Sequence, residues 1–130
     1  MEQRITFLTL GVKDLKVSID FYENKFGWQR SEASSENMIV YSLNGVLLSL
    51  YPREELAKDA NMSPDGEGFR GFTMAHNLNS EQEVDNLFKE LKAKNVQIVK
   101  APEKVFWGGY SGYIADPDGN LWEIAYNPFL

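Results

Sequence analysis

The stretch Asp116-Pro-Asp-Gly-Asn-Leu-Trp-Glu123 joins a sharp turn to the start of an alternating strand. Proline fixes φ and glycine accepts positive φ, so the Asp-Pro and Asp-Gly pairs predict a tight turn. The strand that follows, Leu121 to Tyr126, places Trp122 on one face and Glu123 on the other. A glutamate among apolar neighbours lies either on a solvated sheet surface or inside a cleft, and only the cleft is functional. Glu123 is therefore the first candidate site residue.

Composition limits the classes of protein that remain. The chain has 130 residues, of which 43% are hydrophobic and 13% aromatic, and no apolar run approaches the roughly 20 residues that span a bilayer. No membrane segment and no secretory signal are predicted, and the absence of cysteine fits a cytoplasmic location. The net charge is −6 and the 13 basic residues form no stripe, so nucleic acid is not an expected partner.

The first half, residues 1–52, predicts a β-α-β-β-β module. Ile5 to Val12 alternates like a strand, and Asp14 is a typical helix N-cap before apolar residues at helical spacing. Three short strands are predicted between Trp28 and Tyr51. The pair Asn44-Gly45 is the strongest hairpin signal among them.

The second half, residues 69–130, repeats this order after a polar linker at 53–68 that has space for one short helical turn. A strand is predicted from Phe69 to Asn77, and Ser80 with Glu83 forms a capping box at the start of a helix. Three further strands are predicted, at Val96–Lys100, Gly112–Ala115 and Leu121–Tyr126.

When the two halves are laid on each other, Phe7 matches Phe72 and Ser49 matches Glu123. One helix covers one face of each small sheet, which leaves the other faces to be covered by the other half or by a ligand. Two such faces turned inward would form a mostly apolar trough, typical of a small-molecule site. Its predicted lining is Phe7, Thr9, Leu47, Ser49, Tyr51, Phe72, Met74, His76, Leu121 and Glu123.

The paired modules, Gly11-Val-Lys-Asp-Leu15, Phe21-Tyr22 and the run from Tyr113 to Glu123 resemble the vicinal oxygen chelate superfamily. This superfamily includes glyoxalase I, extradiol dioxygenases, fosfomycin-modifying transferases and bleomycin resistance proteins. The resemblance covers essentially the whole chain. It implies a single α+β domain, residues 1–130, in which paired βαβββ modules form a curved sheet around a central trough.

The resemblance also implies where a metal would be held, because enzymes of this superfamily bind one divalent ion with His or Glu from four facing strands. Those positions correspond here to Phe7, Ser49, Phe72 and Glu123, with Leu48 in place of Ser49 if the register slips by one. Phenylalanine cannot bind a metal, and one carboxylate cannot replace three or four ligands. No metal and no other cofactor are therefore expected.

Two further features have alternative interpretations. His76, the only histidine, is either an acid or base tuned by Glu123 or a strand-end histidine bonded to backbone. In the glycine-rich segment 106–113, Trp107 and Tyr110 either clamp a flat ligand at the mouth of the trough or pack against a partner subunit.

The function that the sequence favours is metal-free binding of a flat, largely apolar or aromatic small molecule with one polar or cationic group directed at Glu123. The alternative is a lyase or dioxygenase that uses Glu123, either with a metal or with His76 as acid and base. A homodimer is expected because two one-helix sheets leave much apolar surface for a second copy to cover. The predicted ligand-binding residues are Phe7, Thr9, Ser49, Tyr51, Phe72, Met74, His76, Trp107, Tyr110 and Glu123.

Overall fold

The computed structural model describes all 130 residues and confirms an α+β fold of two sheets and three helices. The chain divides into two compact units, Met1–Gly66 and Glu67–Leu130. None of its helices has the length and apolar character needed to cross a bilayer.

The first unit contains a three-stranded sheet in the order β1-β3-β2. Strand β1 pairs in parallel with β3, and β2 pairs antiparallel with β3 across the turn at Asn44-Gly45. Helix α1 continues directly into a π-helical segment at Phe21–Lys25. The elements are β1 Phe7–Val12, α1 Leu15–Asp20, β2 Ile39–Ser42, β3 Leu47–Pro52 and α2 Arg53–Asp59.

Helix α1 begins where the sequence predicts it and covers one face of this sheet. The Asp14 carboxylate accepts hydrogen bonds from the backbone N–H groups of Lys16 and Val17, as expected for an N-cap. Tyr22 is fully buried, and its ring lies 6.0 Å from that of Tyr41 in β2. Tyr41 therefore lies on the face of the sheet that the helix covers. Its neighbours along β2 lie on the opposite face.

The prediction of a strand starting at Trp28 is wrong, so the first unit has three strands instead of four. Residues 31–34 still lie beside β2, because the Ser31 N–H donates to the Val40 carbonyl. The Val40 N–H, which a fourth strand would use, donates instead to the Ser34 hydroxyl at 2.9 Å. A side chain thus replaces the backbone partner and prevents a ladder from forming.

The predicted linker is more ordered than its composition indicates. Its short helical turn is the seven-residue helix α2. Residues 53–66 belong to the first unit, where Arg53 Nε donates to the carbonyl oxygen of Pro64 at 2.6 Å.

The second unit contains a four-stranded sheet in the order β4-β7-β6-β5 and one helix. Ser80 caps helix α3 by accepting from the Glu83 N–H at 3.1 Å, while the Glu83 carboxylate accepts from the Asn79 N–H at 2.7 Å. The capping box therefore forms with its return bond shifted by one residue. The elements are β4 Met74–Leu78, α3 Glu81–Ala93, β5 Gln97–Lys104, β6 Tyr110–Ala115 and β7 Leu121–Tyr126.

Strand boundaries in this unit differ from the predicted ones except at β7, which matches. Strand β4 begins at Met74 instead of Phe69, because Gly71 has a φ of 84° and the ladder with β7 starts only at Met74. Strands β5 and β6 extend further toward the loop between them than predicted. Register shifts between Ile98 and Glu103 show that β5 is bulged, which explains why its alternation is hard to recognise.

Candidate functional site

Glu123 lies in the middle of β7 with one neighbour on each adjoining strand. Tyr113 of β6 and Ala75 of β4 are its partners in register, and such partners share a face of the sheet. Leu121 and Ala125 lie on that face along β7. Glu123 is thus a partly exposed carboxylate surrounded by apolar and aromatic side chains, with no second acidic or imidazole group beside it on the sheet.

The opposite face of this sheet is covered by α3. Trp122 and Ile124 are buried there, and the Phe88 ring of α3 lies against Gly112 of β6. The predicted alternation of β7 is therefore confirmed, with Trp122 and Ile124 toward the helix and Glu123 away from it.

His76 and Met74 do not lie where we expected them. In the parallel ladder His76 is the partner of Ile124 and Met74 is the partner of Trp122, so both share the helix-covered face. The prediction that they share a face with Glu123 is wrong by one residue, since Ala75 occupies that position. His76 and Glu123 consequently point to opposite faces of the sheet, which removes the proposed acid–base pair within this unit. Phe72 precedes the strand and is 44% exposed.

Four predicted ligand-binding residues of the first unit lie on one face of its sheet, the face opposite α1: Phe7, Thr9, Ser49 and Tyr51. Phe7, Thr9 and Gly11 of β1 are in register with Leu47, Ser49 and Tyr51 of β3. The Thr9 and Ser49 hydroxyls form a hydrogen bond of 2.6 Å, and Ser49 is fully buried. This face offers hydroxyl and aromatic groups but no carboxylate and no imidazole.

Trp107 lies in the tight loop that joins β5 to β6. The Val105 N–H donates to the Gly109 carbonyl and the Gly108 N–H to the Val105 carbonyl, both at 3.0 Å. The Trp107 ring lies directly against Gly109, where a Cβ atom would overlap it. The loop therefore holds this indole in a defined position.

Tyr110 is not at the edge of the Glu123 face. It is the first residue of β6, in register with Tyr126, and its hydroxyl donates to the Asp85 carboxylate of α3 at 2.7 Å. This hydrogen bond, together with burial, raises the pKa of Tyr110 to about 12. The sequence prediction failed because it began β6 two residues too late and treated Tyr110 as part of the loop.

Tyr113 is the neighbour of Glu123 that our candidate list missed. The turn at 116–119 places Ala115 opposite Leu121 and so, two residues further along each strand, Tyr113 opposite Glu123. The Asp-Pro-Asp-Gly turn sets that register, so the sequence contained the information needed to place Tyr113 beside Glu123.

The donor set of each unit does not fit a divalent metal. The structure contains no group of three or more His, Cys, Asp or Glu side chains that could hold an ion. In the second unit Glu123 is flanked by Ala75 and Tyr113, and in the first unit Ser49 already bonds to Thr9. Zinc and similar ions require three or four nitrogen, sulfur or carboxylate ligands.

Two units, each with a parallel strand pair beside an antiparallel pair, define an α+β protein built from repeated modules. The chain belongs to the Glyoxalase/Bleomycin resistance protein/Dioxygenase superfamily, whose family model matches residues 4–124. The resemblance found in the sequence is thereby confirmed.

Individual relatives are similar over almost the whole chain. A glyoxalase-related enzyme from Fulvimarina pelagi has a crystal structure with 35% identity and a TM-score of 0.87, covering 98% of this chain and 90% of that one. A glyoxalase/bleomycin resistance protein/dioxygenase from Nocardioides has 26% identity and a TM-score of 0.81, covering 97% and 84%. The metallothiol transferase FosB of Lysinibacillus sphaericus is 28% identical over 122 residues, 94% of this chain and 81% of the relative.

Proposed function

We propose that this protein binds a flat, largely apolar small molecule without a metal and directs one cationic or hydrogen-bond-donating group of it to Glu123. The observation that carries the proposal is the setting of Glu123, a lone carboxylate between Ala75 and Tyr113 on a sheet face that also bears Leu121 and Ala125. A carboxylate in such surroundings favours a positive or donating partner.

Apolar contact supplies the remainder of the binding energy in this proposal. Burial of apolar surface is favourable by about 25 cal/mol for each Å² removed from water. Tyr113 lies beside Glu123, and Trp107, whose ring lies against Gly109, presents a flat ring on the loop between β5 and β6. Family membership supports a small-molecule role in general and leaves the ligand open.

Replacing Glu123 with Gln tests the charge contribution. A charge series on one ring system serves as the probe: 2-naphthylmethylammonium, neutral 2-naphthamide and anionic 2-naphthoate. We expect Glu123→Gln to weaken the cation by about tenfold or more, since bonds to charged groups contribute about 1.5–3 kcal/mol, while the neutral probe changes little. Isothermal titration calorimetry measures each affinity. Trp107→Ala is expected to weaken the binding of the cationic and of the neutral probe.

Glu103→Gln is the matched control, because Glu103 is an exposed glutamate of the same sheet that pairs with Lys100. It should leave every affinity within about twofold, as for most surface substitutions. The proposal fails if neither Glu123→Gln nor Trp107→Ala alters the binding of any probe that the wild type retains. Native mass spectrometry of freshly purified protein then identifies the physiological ligand.

The metal-dependent alternative has a separate test. The relative named a metallothiol transferase suggests metal chemistry, but the donor set found here lacks the ligands for it. Elemental analysis of dialysed protein is expected to give well under one zinc, nickel, manganese or iron per chain. Stoichiometric metal that is lost in the Glu123→Gln variant would instead support the lyase or dioxygenase alternative.

A further inference from the structure

A cavity lies in the second unit, and Leu121 is the one residue of its lining that also belongs to the face assigned to the proposed function. It has a volume of about 340 Å³ and is formed by residues 67–72, which precede β4, and by the turn before β7. This volume is at the lower end of the range for small-molecule sites. The cavity therefore has space for a molecule of one or two rings.

Arg70 supplies the positive group of this cavity, and the turn fixes its position. Its Nη1 atom donates to the Asp118 carbonyl oxygen at 2.9 Å, and a Cβ atom built on Gly119 would lie 3.5 Å from the same nitrogen. The guanidinium thus lies against the turn backbone.

The turn that holds Arg70 is itself rigid. The buried Asp116 carboxylate accepts from the backbone N–H groups of Asp118 and Asn120 at 2.9 and 2.8 Å, and from the Asn120 side chain at 2.9 Å. The Gly119 N–H also donates to the Asp116 carbonyl. The carbonyl that positions Arg70 is consequently preorganised, which reduces the entropy lost when a ligand binds.

Two phenylalanines provide apolar walls next to this cation. Phe69 is 72% exposed and Phe72 is 44% exposed, and both line the cavity. Large apolar side chains left in water beside a recess are typical of a surface that a ligand covers. Leu121 adds a third apolar contact from the start of β7.

We infer that this cavity binds a small aromatic carboxylate, with the carboxylate on Arg70 and the ring between Phe69 and Phe72. The planar guanidinium offers paired donors that match the two oxygens of a carboxylate. Glu67 and Asp118 also line the cavity. Their negative charge disfavours a phosphate dianion more than a carboxylate with a single charge.

The naphthyl series tests this site directly. Wild-type protein is titrated with 2-naphthoate by calorimetry and by backbone amide NMR, in which the resonances of residues 67–72 and 118–121 should shift. Arg70→Gln is expected to weaken 2-naphthoate by about tenfold or more, and Arg70→Lys by less, because lysine keeps the charge but loses the paired donors. Neutral 2-naphthamide should bind wild type more weakly than 2-naphthoate does.

Arg4→Gln is the control, because Arg4 is an exposed arginine of the first unit. It should leave 2-naphthoate binding unchanged, whereas Phe69→Ala should weaken 2-naphthoate. The inference is wrong if 2-naphthoate does not bind, if it binds Arg70→Gln as tightly as wild type, or if its NMR shifts lie elsewhere. Glu123→Gln should not weaken 2-naphthoate, so failure of this site and failure of the Glu123 proposal are distinguishable.

Discussion

Gly112→Ala is expected to lower the free energy of unfolding by about 3 kcal/mol, at the upper end of the usual cost of overpacking. A Cβ atom at this position would lie 2.5 Å from the Lys100 carbonyl oxygen, 2.7 Å from Cζ of Phe88 and 2.8 Å from the Pro102 nitrogen. Two of these three atoms are backbone and cannot rotate away. Strand β5, which is bulged here, passes this close to β6 only because residue 112 has no side chain.

Gly11→Ala is the matched control, since it makes the same change in a strand of the first unit. Its Cβ atom would meet Arg53 Cα and Leu56 Cδ2 at 3.2 Å, a tight contact that small shifts relieve. Urea denaturation followed by circular dichroism should therefore show a much smaller loss for Gly11→Ala. Equal losses for the two variants would mean that β5 does not pack on β6 as described.

The sequence predicted the elements that carry strong local signals. Asp14 and Ser80 mark helix starts because each side chain bonds to a free backbone N–H, and both caps are present. The Asp-Pro-Asp-Gly turn fixes where β7 begins, so that strand and its alternation were predicted correctly. Such signals are contained within a few residues of the chain.

The face that β4 presents to α3 could not be predicted in the same way. Alternation shows that Met74 and His76 share a face, but it does not show which face the helix covers. That choice depends on the ladder with β7, where Met74 meets Trp122 and Ala75 meets Glu123. A shift of one residue was enough to move His76 away from Glu123, and the same kind of long-range pairing decided the position of Tyr110.

Side-chain bonds to the backbone were a further source of error. A strand was predicted from Trp28 although mostly polar residues follow it, and the Ser34 hydroxyl takes the Val40 N–H that such a strand required. Arg70 was overlooked for a related reason. Its position depends on the Asp118 carbonyl, 48 residues later in the sequence, and no local pattern indicates that bond.

Asp116→Ala is expected to be as destabilising as Gly112→Ala, about 3 kcal/mol, because a buried carboxylate that accepts three hydrogen bonds is lost. The backbone N–H and side-chain amide of Asn120 would remain buried without their acceptor. Thermal and urea denaturation measure the loss. Asp65→Ala serves as the control, because Asp65 is an exposed loop aspartate whose backbone N–H, and not its carboxylate, bonds to Ser63.

The same substitution connects the turn to the cavity beside it. Asp116 fixes the loop whose Asp118 carbonyl holds Arg70, so Asp116→Ala should weaken 2-naphthoate even at a temperature where the variant is fully folded. Asp116→Asn keeps one acceptor oxygen but brings a second amide donor toward the Asn120 side chain, and its losses of stability and affinity should both be smaller than those of Asp116→Ala. If Asp116→Ala lowers stability but leaves 2-naphthoate affinity unchanged, Arg70 does not depend on the turn for its position. If stability is also unchanged, these carboxylate hydrogen bonds contribute nothing net to stability, and Pro117, Gly119 and the backbone hydrogen bonds of the turn are enough to maintain its shape.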